Sequence, residues 1–186
     1  MMQVKQPSRI ILFLVGIIIT LAITALPSFA GTRQYDAGQR PDTFVFAPAL
    51  GLQSDTPDGT AFAVGFYGDY YINHNVSIGP LVQMGFTDDL FQLGLTAQAK
   101  YTFHLADPAL KPHVQAGIGV IYADLDRSAG RDDDDSSFLI PLGLGAEYKL
   151  TNSVWLDTTV LFNFTDLDVR NENFFVTLLV GLKFPF

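Results

Sequence analysis

The thirteen residues Phe174 to Phe186, FFVTLLVGLKFPF, constrain this chain more than any other stretch. Read in steps of two, one set is Phe174, Val176, Leu178, Val180, Leu182, Phe184 and Phe186. The alternate set is Phe175, Thr177, Leu179, Gly181, Lys183 and Pro185. A β-strand sends successive side chains to opposite faces, so one face here is unbroken, bulky and apolar. The other mixes small, polar and charged groups. Such a strand needs either a second protein layer over its apolar face or lipid as the solvent on that side.

The same alternation recurs through the chain. Strands are expected over Thr43–Leu52, Thr60–Asn73, Val76–Thr87, Leu90–Leu105, His113–Ala123, Phe138–Leu150 and Ser153–Thr165, with the final strand over 174–186. The fourth is the cleanest: Phe91, Leu93, Leu95, Ala97, Ala99, Tyr101 and Phe103 oppose Gln92, Gly94, Thr96, Gln98, Lys100 and Thr102. Pro48 inside the first strand weakens that assignment, because proline removes a ladder donor. Eight strands of about a dozen residues suit a closed antiparallel barrel, since ~9–11 tilted residues cross a bilayer. The connections fall into two groups. Short turns at 73–75, 106–112 and 151–152 alternate with 53–59, 87–89, 124–137 and 166–173, which are mostly longer. The second group carries thirteen of the nineteen acids, including the run Asp132 to Asp135.

The amino terminus has a different character. Lys5 and Arg9 precede an apolar run from Ile10 to Leu26, which is followed by Pro27-Ser28-Phe29-Ala30. This is the layout of a cleavable secretory signal peptide over residues 1–30. Residues 31–42, GTRQYDAGQRPD, read as a flexible periplasmic lead-in to a barrel over 43–186. Without its first thirty residues the chain has nine basic and nineteen acidic side chains. That balance excludes nucleic acid as a partner. The absence of cysteine excludes disulfides, thiolate metal sites and cysteine nucleophiles. No cofactor is called for.

A soluble eight-stranded barrel would keep its bulky apolar residues inside. Here the uniform face is too apolar for so narrow an interior. The contrasting face carries Asp69, Lys100, Glu147, Lys149, Asp157 and Lys183, three of each sign. Charges withdrawn from bulk water must be paired, so these six are expected to form a lumen network. A shared layer low in the barrel, with lysines neutralising Glu147 and Asp157, follows from counting residues up each strand. Trp155 falls on the same inward set as core filling. Phe86, Phe91, Tyr122, Phe138, Phe164 and Phe174 at one end, and Tyr70, Tyr101, Phe103, Tyr148 and Phe186 at the other, read as aromatic girdles.

Two resemblances follow from these residues. The terminal Gly181-x-x-Phe184-x-Phe186 resembles the signal by which bacterial outer-membrane barrels are recognised for assembly, although Leu179 stands where that pattern usually has a polar residue. Over 43–186, strand count, loop asymmetry and segments such as GLGAEYKLTNSVWLD (143–157) resemble the small OmpA/OmpX-type barrels of the outer-membrane protein β-barrel domain family. The likeness implies a monomeric barrel in the bacterial outer membrane with both termini periplasmic. It also implies contact with lipid and lipopolysaccharide, and insertion by the barrel assembly machinery. A structural or surface-interaction role with a plugged lumen is expected, with a narrow solute channel as the alternative. Barrels that deacylate lipid A carry a His-x-Ser motif, but Val76, Ala106 and Gln115 follow His74, His104 and His113 at that spacing. An enzyme is therefore not expected.

Overall fold

The computed structural model describes residues 40–56, 59–125, 133–167 and 172–186. Eight strands follow one another: β1 Phe44–Thr56, β2 Gly59–Tyr71, β3 Val76–Phe86, β4 Leu90–Thr102, β5 Leu110–Leu125, β6 Asp133–Lys149, β7 Trp155–Leu167 and β8 Glu172–Pro185. Each pairs antiparallel with its sequence neighbours, and β1 pairs with β8, so the sheet closes into a barrel. Closure leaves no open sheet edge, which is the condition for strands to stand in lipid. Both described termini lie at one end, called here the near end. Phe186 N–H donates to the Phe44 carbonyl there, at 2.8 Å. No helix among the described residues is long and apolar enough to cross a membrane. The proposed signal peptide and most of the lead-in lie outside the described residues.

Alternation decides the two faces. Along β4 burial switches at every residue from Leu90 to Thr102. The outward set is apolar, with Leu50, Leu95, Ile118, Val120 and Leu142 among its exposed members. Pairs of rings mark its two rims. Phe86 and Phe91 (5.5 Å between centroids) and Phe164 and Phe174 (5.3 Å) lie toward the far end, and Tyr101 and Phe103 (5.0 Å) at the near end. Large apolar groups kept out of the core in a continuous belt are at home only against lipid.

The strands differ in extent from the sequence expectation. Half of the acidic connection expected over 124–137 is paired strand: Asp124 pairs in register with Asp134, and Leu125 with Asp133. Backbone pairing continues past the apolar belt because the ladder is satisfied by its partner strand whatever the side chains are. The connection itself, 126–132, lies outside the described residues. The hairpin expected to turn over 53–59 likewise tightens, since Thr56 pairs with Gly59 and its hydroxyl donates to the Gly59 carbonyl. Gly59 has φ of 99°, a conformation that favours glycine. At the near end β5 begins at Leu110 rather than His113.

Two of the interior prolines, Pro80 and Pro141, are accommodated by glycines. The β2–β3 pairing skips from Tyr67–Leu81 to Tyr70–Ile78, with Pro80 in the gap. A Cβ on Gly68 would meet the Pro80 ring at 3.3 Å, and one on Gly117 would meet the Pro141 ring at 3.1 Å. Each proline thus forfeits its ladder bond opposite a residue small enough to accept its ring.

Candidate functional site

Among the described residues the lumen is where this fold gathers polar and charged side chains, supplied by the inward half of the alternation. Asp69 (β2), Lys100 (β4), Glu147 (β6), Asp157 (β7) and Lys183 (β8) are all buried. Lys100 Nζ lies 2.8 Å from Asp69 Oδ2 and 3.9 Å from Asp157 Oδ2. Lys183 Nζ lies 2.6 Å from Glu147 Oε1 and 3.1 Å from Asp69 Oδ2. Asp69 is therefore shared by two lysines. These contacts skip over intervening strands and cross the lumen, so the network ties non-adjacent staves together.

Five of the six charges expected in the lumen meet in this way. Lys149 is placed differently: it is half-buried, paired in register with Trp155 at the near mouth. The third fully buried lysine is Lys111, whose Nζ stands 5.9 Å from the centre of the Trp155 ring and whose backbone pairs with Glu147. Sequence reasoning missed it because Pro112 marked the end of a connection. The signal was present, since Lys111, His113 and Gln115 share one phase of the alternation.

His113 is a second residue the sequence did not bring into the network. Its Nε2 lies 3.1 Å from Thr159 Oγ1 and 3.8 Å from Asp157 Oδ1, and Thr159 donates to Asp157 Oδ1 at 3.1 Å. The imidazole has room because Gly145 faces it; a Cβ there would come within 2.7 Å of the ring. Tyr67 contributes its ring face to Lys100, 5.1 Å from the ammonium. Thr159 and His113 are both buried within the lumen. Among the described residues no group of His, Asp and Glu is arranged to hold a metal ion.

Toward the far end the lumen changes character. Gln83 Nε2 donates to Asn163 Oδ1 at 3.0 Å, and Asn163 Nδ2 donates to Thr177 Oγ1 at 3.0 Å, linking β3, β7 and β8. Beyond them Leu90, Ile121, Ala123, Leu139, Leu167 and Phe175 form a buried apolar cluster. Large side chains here stand over glycines of the opposing wall. A Cβ on Gly94 would meet Leu139 Cδ2 at 2.8 Å, and one on Gly65 would meet Leu179 Cδ1 at 2.9 Å.

The terminal motif lies on the closing seam. Gly181 faces inward and pairs with Ala49, and a Cβ on it would meet the Pro48 carbonyl at 2.6 Å. Phe184 pairs with Phe46, and Phe186 is 79% exposed at the near rim. Gly181, Phe184 and Phe186 therefore stand where the last strand joins the first.

Solved structures share this architecture. Neisserial surface protein A matches with a TM-score of 0.63 at 19% identity, over 78% of this chain and 97% of its own. The N-terminal β-barrel domain of Pseudomonas aeruginosa OprF matches at 0.61 and 13% identity, over 80% of this chain and 100% of its own. Ail, the attachment invasion locus protein of Yersinia pestis, matches at 0.56 and 13% identity, over 79% and 99%. No curated protein sequence matches the chain significantly. The sequence profile of the outer membrane protein beta-barrel domain matches residues 18–184. With the closed eight-stranded barrel and its lipid-facing belt, that match places the chain in the outer membrane protein β-barrel domain family, as a protein of the bacterial outer membrane.

Proposed function

We propose that the protein is a non-enzymatic barrel with a structural or surface-interaction role, and that its lumen is plugged by its own side chains. The observation that supports this reading is that ion pairs and leucines from non-adjacent strands meet across the interior. A pathway for solutes needs binding groups along an open bore, and here the charged groups are spent on one another. The chain works as a monomer with periplasmic termini, so that its acidic hairpins face the exterior beside lipopolysaccharide. Its assembly depends on Gly181, Phe184 and Phe186 at the seam, read by the barrel assembly machinery. Single-channel recording in planar bilayers tests the plug: the purified barrel is expected to leave the membrane insulating, and regular unitary currents would favour the solute-channel reading. Deleting Phe186 should reduce the heat-modifiable, membrane-inserted fraction in cell envelopes, and unchanged insertion would count against the assembly role.

A further inference from the structure

The ionic network invites the view that it is what seals the lumen, but the order of residues along three strands points elsewhere. On β3, β7 and β8 a polar residue is followed, one inward position nearer the near end, by a leucine. The pairs are Gln83 and Leu81, Asn163 and Leu161, Thr177 and Leu179. The three polar members meet across the lumen through the two hydrogen bonds already described. Their leucines, one pleat below, belong to one buried cluster with Ala47, Ala49, Ala63 and Tyr67. Leu81, Leu161 and Leu179 are each at most 1% exposed. Leu179 reaches over Gly65, and Leu161 packs where a Cβ on Gly143 would meet it at 2.8 Å. The charges Asp157 and Lys183 come two inward positions further on along β7 and β8.

Polar groups without a protein partner stand on both sides of this layer. On the far side Gln53 Oε1, Gln83 Oε1 and both amide atoms of Gln92 have no hydrogen-bond partner among the described residues. On the near side the same holds for both amide atoms of Gln98 and Gln115, for His113 Nδ1, and for one oxygen each of Asp69 and Asp157. Buried polar atoms draw water when no protein group serves them. The ionic side is therefore the side that tolerates hydration, and a charged group can exchange a partner for a passing ion. An apolar constriction cannot, because an ion entering it sheds its hydration with nothing in return.

We infer that the barrier to water and ions is the dry layer of Leu81, Leu161 and Leu179, and that the ion-pair network beside it holds the staves together without sealing the bore. This rests on the reading of the lumen as closed. The test compares unitary conductance in planar bilayers, in potassium chloride, for the wild type, for Leu161→Ser with Leu179→Ser, and for Glu147→Leu with Lys183→Met. Each variant is first shown to be folded by heat-modifiable migration. The wild type should stay at the background of the bare membrane. The serine pair should exceed that background by about tenfold or more, and the uncharged pair should stay at it. A folded serine pair that stays silent, or an uncharged pair that conducts as well as it, overturns the inference while leaving the closed lumen standing. A conducting wild type overturns both. Should the serine pair fail to fold, water-to-protein magnetisation transfer in the labelled wild type decides the matter. The side-chain amides of Gln92 and Gln98 should exchange magnetisation with water and the methyls of Leu161 and Leu179 should not. Water contact at those methyls overturns the inference.

Discussion

The two halves of the lumen solve one packing problem in opposite ways. Toward the near end the interior is filled with charge: two lysines share Asp69, Lys183 also holds Glu147, and His113 and Thr159 approach Asp157. Toward the far end it is filled with leucine, isoleucine and phenylalanine around a short chain of amides. Both halves use the same wall device, a glycine on one strand beneath a long side chain from another, as at Gly145 with His113 and Gly94 with Leu139. They differ in what a substitution leaves behind. Removing an apolar side chain leaves a cavity, whose cost scales with its size. Removing one member of an ion pair leaves a buried charge short of a partner, which costs more.

That difference sets the order of expected effects. Glu147→Ala should destabilise most, by about 3–5 kcal/mol, because Lys183 loses its nearest partner. Urea unfolding in detergent or lipid gives the value. The double change Glu147→Ala with Lys183→Ala should lose less than the two single changes summed. Strict additivity would show that the 2.6 Å contact couples nothing. In the apolar half, Leu139→Ala should cost about 2–4 kcal/mol, the cavity being only partly relieved because the cluster is held by a closed barrel. A loss well above that of Glu147→Ala would reverse the comparison. Asn163→Ala breaks both hydrogen bonds of the amide chain and should cost about 1–3 kcal/mol. Gln83 and Thr177 side-chain resonances should shift in the same variant, and their constancy would deny the cross-lumen chain. Smallest of all, Ile118→Val on the lipid face should change stability by less than about 0.5 kcal/mol. The residue is 67% exposed to what is lipid in the membrane, and the methylene it gives up is replaced there by acyl chain. A large loss would mean that this face is covered by protein.

Much of this was legible in the sequence for a plain reason. A strand has a period of two, so Leu90 to Thr102 announces its inward and outward sets without any knowledge of its neighbours. The same phase rule marked Asp69, Lys100, Glu147, Asp157 and Lys183 as inward. It also held Lys111 in phase, but a proline at 112 read as punctuation and hid it. Chain ends of the hairpins were less legible. Polar pairs such as Asp124 with Asp134 carry no apolar alternation, although their backbones pair as well as any.

What alternation determined, then, is which side of the wall each residue faces, and with it the barrel, the lipid belt and the inward charges. Which inward residues meet is a separate matter, because strands tilt and the stagger between neighbours accumulates around the barrel. Only the closed structure brought Lys183 of the last strand to Asp69 of the second, and set Leu161 and Leu179 in one layer with Leu81. A phase is a local property of the backbone; a height in the lumen is fixed by the register of all eight strands at once.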